Sequence, residues 1–139
     1  MIVFVDSDVV ISSLMSSSGA SHLLLQSQGL ELFISNVSLE ELQRVAEKLH
    51  ISQKELGALV KARVKVVKLE ETIVEIKDMY KGYVHDINDA HIVAGAKVSK
   101  ARFLISYNIK DFKLNKIKND FDIIVMTPGK LLQYLRSLQ

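Results

Sequence analysis

Acidic and amide side chains follow two apolar segments of the chain where those segments end. Asp6 comes directly after the apolar run at residues 2–5, and Asn108 and Asp111 come shortly after the run at residues 103–106. If the two runs form neighbouring parallel strands, their carboxyl ends meet at the same end of a sheet. Clustered carboxylate oxygens are the ligands that hard divalent cations prefer. The pattern therefore predicts a metal site beside the ends of two strands.

A second acidic pair, Asp86 and Asp89, lies three residues apart at the start of a predicted helix. This spacing brings two carboxylates close together. Carboxylates about 4 Å apart repel each other by about 4 kcal/mol at an effective dielectric constant of about 20, and a divalent cation relieves that repulsion. Capping is another role for the same acids, because Asp86 and Asp6 suit N-cap positions and Asp89 suits a first helical turn. The sequence alone leaves both roles open.

Glu40 and Glu41 open a further predicted helix. The stretch Ser38-Leu39-Glu40-Glu41 fits the S-x-x-E capping box, in which Glu41 would fold back onto the backbone amide of Ser38. One glutamate could cap the helix while the other faces the site, and the spacing leaves open which one does so.

Histidine and cysteine are set aside as site residues. Magnesium prefers oxygen ligands, and a histidine near a site is more often structural, so the predicted set excludes His22, His50, His85 and His91. The chain contains no cysteine, which excludes disulfides, thiolate metal sites and a cysteine nucleophile.

The segment 97–118 is strongly basic, although the net charge of the whole chain is only +2. It contains seven lysine or arginine residues and a single acid, Asp111. Such a run is compatible with a solvated surface, and equally with a basic rim that binds nucleic-acid phosphates around an acidic pocket. The candidate RNA-binding side chains are Lys97, Lys100, Lys110 and Lys113.

The order of predicted elements indicates an α/β fold. Short strands rich in valine and isoleucine alternate with helices along all 139 residues, which is typical of a parallel sheet covered on both faces. We therefore predict one domain over residues 1–139, a three-layer α/β/α sandwich around a central, mostly parallel five-stranded sheet. No segment approaches the roughly 20 apolar residues of a membrane span, and no signal-peptide pattern opens the chain. A cytoplasmic protein without membrane contact is expected.

Taken in order, these segments resemble the PIN domain, a family of metal-dependent ribonucleases, over nearly the whole chain. IVFVDSDVVISSL is similar to the opening strand of the family with its acid, and SNVSLEELQRV to its glutamate-leucine helix start. The closest match is DINDAHIVAGAKVSKARFLISYNIKDF, which resembles the D-x-x-D-x-H-x-x-A-A segment, the next strand and the N-x-K-D-F motif. VMTPGKLLQYL resembles the Thr-Pro-led last helix of some members. Each motif is weak alone, but their order and spacing together are fairly specific.

The resemblance implies a catalytic set and a metal site, with Glu41 favoured over Glu40. The implied catalytic residues are Asp6, Glu41, Asp89 and Asp111. The implied ligands of one or two Mg²⁺ or Mn²⁺ ions are Asp6, Glu41, Asp86, Asp89 and Asn108, with Ser106 placed to orient a water or a carboxylate. Many members carry an aspartate where this chain has Asn108, and this departure bears on the number of metal ions and on activity.

The implied function is a metal-dependent endoribonuclease that hydrolyses RNA phosphodiester bonds, as a VapC-like toxin with a small antitoxin protein as partner and a homodimeric assembly. The alternative is a PIN-like module that binds RNA or protein without cleavage, which Asn108 keeps open. A phosphatase or a structure-specific DNA nuclease would share the metal chemistry. A response-regulator receiver is disfavoured, because only Glu70 and Glu71 follow the third strand, where a phosphoacceptor aspartate is needed.

Overall fold

The computed structural model describes residues 1–139, in which five short strands alternate with eight helices. In chain order these are β1 (Ile2–Val5), α1 (Ser7–Met15), α2 (Ala20–Leu25), β2 (Glu31–Ser35), α3 (Asn36–Lys48), α4 (Gln53–Arg63), β3 (Val64–Val67), α5 (Ile73–Tyr80), α6 (Ala90–Val98), β4 (Phe103–Ile105), α7 (Leu114–Phe121), β5 (Ile124–Met126) and α8 (Pro128–Ser137). Three short 3₁₀ turns lie at Lys81–Tyr83, Ile87–Asp89 and Ile109–Asp111. No helix is long and apolar enough to cross a membrane.

The strands form one parallel sheet in the order β3-β2-β1-β4-β5, which confirms the predicted α/β fold. The chain builds the sheet outward from β1 through β2 to β3 and then returns to the other side of β1 with β4. The gap between the carboxyl ends of β1 and β4 is therefore the topological switch point, where open α/β sheets place their sites. The register pairs Val5 with Ile105, so Asp6 and Ser106 follow side by side.

Both faces of the sheet are buried, as the apolar strand sequences predict. One buried cluster contains Val3 and Val5 with side chains of α1, α2, α3, α4 and α8, and the other contains Phe4 with side chains of α5, α6 and α7. Helix α6 lies unusually close to β1, because a Cβ atom on Gly95 would be 2.4 Å from the Phe4 ring. The result is the predicted three-layer arrangement.

Helix α7 was not among the predicted elements. Its apolar residues Leu114, Ile117 and Phe121 have helical spacing, but only Ile117 is fully buried. The helix ends at Asp122, whose backbone is left-handed with φ of 57°. A short amphipathic helix between two strands gives a weak sequence signal, because polar residues fill most of its positions.

A small antiparallel contact ties two loops together near the carboxyl ends of the strands. Val84 forms an isolated bridge with Phe112, the His85 amide donates to the Asp111 carbonyl at 2.9 Å, and the Lys113 amide donates to the Tyr83 carbonyl at 2.9 Å. This contact holds the chain just before Asp86 against the chain just after Asp111.

Candidate active site

Asp6 lies at the carboxyl end of β1, between β1 and β4. Its side chain accepts hydrogen bonds from the Ser106 hydroxyl at 2.8 Å and from the Ser7 amide at 2.7 Å, and its own amide donates to the Ile105 carbonyl at 2.9 Å. Asp6 is therefore the N-cap of α1 and a buried carboxylate at the switch point at once. Asp6 therefore combines the two roles that the sequence left open, as a helix cap and as a carboxylate of the candidate site.

Asp8 belongs to the same group, although it was not among the predicted site residues. One of its oxygens accepts from the Tyr107 amide at 3.1 Å and from the Asn108 side-chain amide at 3.1 Å, with the Ser106 hydroxyl 3.4 Å away. The other oxygen is buried without any partner. The only sequence signal was its position two residues after Asp6, which is too common to identify a site.

Burial and nearby negative charges raise the pKa values of both acids. Burial is the main cause at Asp6, followed by the Asp8 charge, and together they raise its pKa to about 8 despite hydrogen bonds from Ser106 and Ser7. Burial also raises the pKa of Asp8. No lysine or arginine forms an ion pair with either acid. This pair of carboxylates therefore lacks a compensating positive charge within the protein.

Glu41 projects from α3 toward the same end of the sheet. His91 of α6 donates from Nε2 to its carboxylate at 3.1 Å, and this hydrogen bond is the main cause of its lowered pKa. The capping box at Ser38 is not formed, because α3 begins earlier and its N-cap is Ser35, which accepts from the Ser38 amide at 3.0 Å. His91 is thus attached to the site, which the sequence analysis had not predicted.

Asp86, Asp89 and Asp111 form a second acidic group next to Glu41. Asp86 caps the 3₁₀ turn by accepting from the Asn88 amide at 2.9 Å, so the predicted cap is confirmed. Asp89 precedes α6 and makes no capping hydrogen bond. Burial, and then the charges of Asp86 and Asp111, raise its pKa to about 6. The pKa of Asp89 is therefore much closer to neutral pH than its ordinary value of 3.8.

Glu41 connects the two acidic groups electrostatically. Its charge contributes to the raised pKa values of Asp6, Asp8 and Asp89. No three acidic or histidine side chains are gathered tightly enough to hold a metal ion between them. The donors nevertheless have the chemistry of a magnesium or manganese site, since they are carboxylate oxygens that pair with no lysine or arginine, and one oxygen of Asp8 is buried and unpartnered. The residues therefore fit a hard divalent cation in kind.

The predicted RNA-binding lysines divide between the two ends of the sheet. Lys110 and Lys113 follow β4 and lie near the acidic groups, where Asp111 separates them in sequence. Lys97 and Lys100 lie at the far end of α6 and line a cavity with Arg102, beside the amino ends of β4 and β5. The structure therefore brings only half of the set toward the acids.

A sequence model of the PIN domain matches residues 2–110 of the chain, a span that includes Asp6, Glu41, Asp89 and Asn108. The chain belongs to the PIN domain family. A search of curated proteins finds no match.

Solved structures share this PIN domain fold at low sequence identity. A toxin–antitoxin complex from Klebsiella pneumoniae contains a chain 23% identical to this one, with a TM-score of 0.66 over 91% of this chain and 97% of that chain. VapBC-1 from nontypeable Haemophilus influenzae gives 19% identity and a TM-score of 0.62 over 93% and 99%. VapBC2 from Rickettsia felis, bound to a DNA fragment from the promoter, is 19% identical, with a TM-score of 0.60 over 91% of this chain and 98% of that chain. At these identities the similarity shows the fold alone.

Proposed function

We propose that this PIN domain is a metal-dependent endoribonuclease. The observation that carries the proposal is that carboxylates from distant parts of the chain lie at one end of the sheet, where Asp6 is buried and the charge of Glu41 helps to raise the pKa values of Asp6, Asp8 and Asp89. A phosphodiester is itself an anion, so acids gathered without cations are suited to it only with bound metal ions. Family membership points the same way, because PIN domains are generally nucleases.

The proposed residues have distinct roles. Asp6, Glu41 and Asp89, with Asp86 or Asn108, would hold one or two Mg²⁺ or Mn²⁺ ions. A bound divalent ion supplies a water of lowered pKa and neutralises charge on the phosphate. Ser106 fixes the Asp6 carboxylate and His91 fixes that of Glu41, so both are held before substrate arrives.

The second acidic group contributes a ligand whose charge is costly without a cation. Burial and the charges of Asp86 and Asp111 raise the pKa of Asp89 to about 6 in the metal-free protein, and a bound divalent ion would relieve this repulsion. Asp111 lies beside Asp89, whereas Asn108 donates to Asp8, so the two candidates for the fourth position serve different groups. Hydrolysis would leave a 5′-phosphate and a 3′-hydroxyl.

The proposed biological role is that of a VapC-like toxin. Chains of the same fold occur in toxin–antitoxin complexes of other organisms, which supports a small antitoxin protein as the partner. We propose further that residues 1–139 act as one domain, that the chain forms a homodimer, and that it works in the cytoplasm. Coexpression with the product of a short neighbouring reading frame, followed by size-exclusion chromatography with light scattering, tests both assemblies.

Cleavage of single-stranded RNA tests the enzymatic proposal. Wild-type protein with Mn²⁺ or Mg²⁺ is expected to cut the RNA, and EDTA is expected to stop it. Asp89→Asn should lose cleavage by about 100-fold or more, whereas Asp78→Asn, an exposed acid of α5 paired with Lys81, should retain it. Cleavage that persists in EDTA and in Asp89→Asn would refute the mechanism.

A second candidate is a PIN domain that binds RNA or protein without cutting. It is favoured by the spread of the acids, which are not gathered around one point, and by an amide at Asn108 that is hydrogen-bonded to Asp8. The same assay separates the two functions, because a binding module retards RNA in a native gel and leaves its length unchanged with every metal.

A further inference from the structure

A cleft of about 370 Å³ opens between α3, α5 and the 3₁₀ turn at residues 87–89. Glu41 and His91 form one wall, so the cleft is continuous with the acidic groups. Its size falls at the lower end of the range of small-molecule sites, about 300–1,000 Å³. A cleft of this volume can hold one monomer of a polymer. The neighbouring monomer of that polymer would then lie over the acidic groups.

The cleft offers two cations that form no ion pair within the protein. Arg44 lies one turn after Glu41 on α3, and its charge helps to lower the pKa of Glu41. Lys77 of α5 lines the same cleft. Neither takes part in any of the four ion pairs of the chain or in a side-chain hydrogen bond. An arginine fork and a lysine left free in one cleft are suited to a phosphate.

The remaining lining explains what would accompany the phosphate. Ile73 and Ile87 are each 45% exposed and present apolar surface to the cleft. Glu40 also lines it and disfavours an approaching anion, although it is not within ion-pair distance of Arg44. A ligand with one anionic group and a flat apolar part satisfies both kinds of surface, and a nucleotide has these two parts.

We propose that this cleft binds one nucleotide of the RNA strand next to the scissile phosphate, with its phosphate on Arg44 and Lys77 and its base against Ile73 and Ile87. The inference rests on the proposed ribonuclease function and names a substrate subsite of that site. The acidic groups repel the RNA backbone, and cations placed beside them would hold the strand while the acids remain available to bind metal ions.

Binding of a fluorescent single-stranded RNA, measured by anisotropy in an Asp6→Asn background that prevents cutting, tests the subsite. Arg44→Gln and Lys77→Gln should each weaken binding by about ten-fold. Each should also lower the slope of log K against log salt concentration by about 0.7. The matched controls are Arg136→Gln on α8 and Lys61→Gln on α4, both exposed and outside the cleft, and they should behave like the background protein.

The apolar part of the subsite has its own matched pair. Ile73→Ala should weaken the binding of normal RNA more than the binding of RNA that carries an abasic nucleotide at the flanking position. The reason is that only normal RNA has a base there that contacts the Ile73 side chain. Val74→Ala, at a neighbouring residue that is 78% exposed and does not line the cleft, should show no such difference. Ile73 and Val74 both lie at the surface, so the Ile73→Ala and Val74→Ala variants are expected to have unchanged circular dichroism spectra.

The outcomes separate this inference from the function on which it rests. If wild-type protein cuts RNA but Arg44→Gln and Lys77→Gln bind it like their controls, the subsite is refuted and the nuclease proposal stands. If RNA binding depends on the two cations but no metal supports cutting, the nuclease proposal fails and the subsite stands. The subsite is overturned if the protein binds no RNA. It is also overturned if Arg44 and Lys77 are needed for binding an acidic peptide but not for binding RNA.

Discussion

The two ends of the sheet carry opposite chemistry. At the carboxyl ends of the strands lie Asp6, Asp8 and Ser106, with Glu41 and Asp89 facing them from helices. At the amino ends, Lys97, Lys100 and Arg102 line a cavity of about 470 Å³ together with Asp120 and Asp122. Helix α6 joins the two ends, since it starts after Asp89 and ends just past Lys97.

The two ends differ in whether their charges are used by the fold. Lys97 lies 5.0 Å from the centre of the Phe121 ring and 5.8 Å from that of Tyr80, and Lys118 pairs with Asp122. Asp6, Asp8 and Asp89 at the carboxyl end pair with no lysine or arginine, and their pKa values are raised. Charges that contact rings and counter-ions support packing, whereas uncompensated charges are costly unless a ligand supplies the missing ones. The comparison therefore supports our proposal of a functional site at the acidic end.

The largest expected effect is on RNA cleavage by paired aspartate substitutions at the two ends. Asp6→Asn removes a buried carboxylate of the proposed metal site and should lower kcat/KM by about 100-fold or more. Asp122→Asn should leave kcat/KM unchanged, because Asp122 is exposed, lies at the amino end and has a left-handed backbone that asparagine tolerates. Equal losses in the two variants would contradict the assignment of the ends.

Stability against pH gives the next largest effect. Because the native pKa values of Asp6 and Asp89 are raised from 3.8 to about 8 and about 6, the metal-free native state binds more protons than the unfolded chain. Stability must then fall as pH rises from about 4, with the Asp89 contribution lost by about pH 6 and that of Asp6 by about pH 8. Thermal melting in EDTA across this range measures it.

Replacing each aspartate by asparagine shows which part of the dependence of melting temperature on pH comes from Asp89 and which part from Asp6. Asp89→Asn should flatten the melting temperature between about pH 4 and pH 6, and Asp6→Asn should reduce its fall up to about pH 8, where Asp8 leaves a residual slope. Mn²⁺ should raise the melting temperature more at pH 8 than at pH 5. A wild-type melting temperature that does not change between pH 6 and pH 8 would show that Asp6 is ionised throughout.

A pair of glycine substitutions tests how α6 links the two ends. Gly95→Ala should destabilise the protein by about 1–3 kcal/mol in urea unfolding, because its Cβ would overlap the Phe4 ring on β1. Gly57→Ala, in a helix where no atom lies within 4 Å of the new Cβ, should stabilise it by about 0.5–1 kcal/mol. A stabilising Gly95→Ala would mean that α6 and β1 are not closely packed.

The smallest expected effect is on RNA binding by the lysines of the basic segment 97–118, which lie at opposite ends of the sheet. Lys110→Gln and Lys113→Gln should each lower the salt slope of RNA binding by about 0.7. Lys97→Gln should leave that slope unchanged and instead cost about 0.5–1 kcal/mol of stability through its lost cation–π contacts. A lowered slope in Lys97→Gln would show that RNA also reaches the amino end of the sheet.

Much of the fold could be predicted because its signals are local. Short valine- and isoleucine-rich runs identify strands that are buried on both faces. Helix starts are local as well, since the side chains of Ser52 and Thr72 accept hydrogen bonds from backbone amides three residues later. Helix α7 escaped prediction because only one of its side chains is fully buried. Asp8 escaped because a first-turn acid looks the same whether it caps a helix or faces a site.

The sequence by itself determined the alternation of strands and helices, and hence that acids following β1 and β4 would lie at the carboxyl ends of a parallel sheet. Only the tertiary structure decided which residues meet there. Asp8 is joined to Asn108 across 100 residues of sequence, His91 to Glu41 between two helices, and Lys97 is carried to the opposite end by α6. The physical reason is that hydrophobic periodicity encodes elements locally, whereas contacts between side chains depend on how those elements pack.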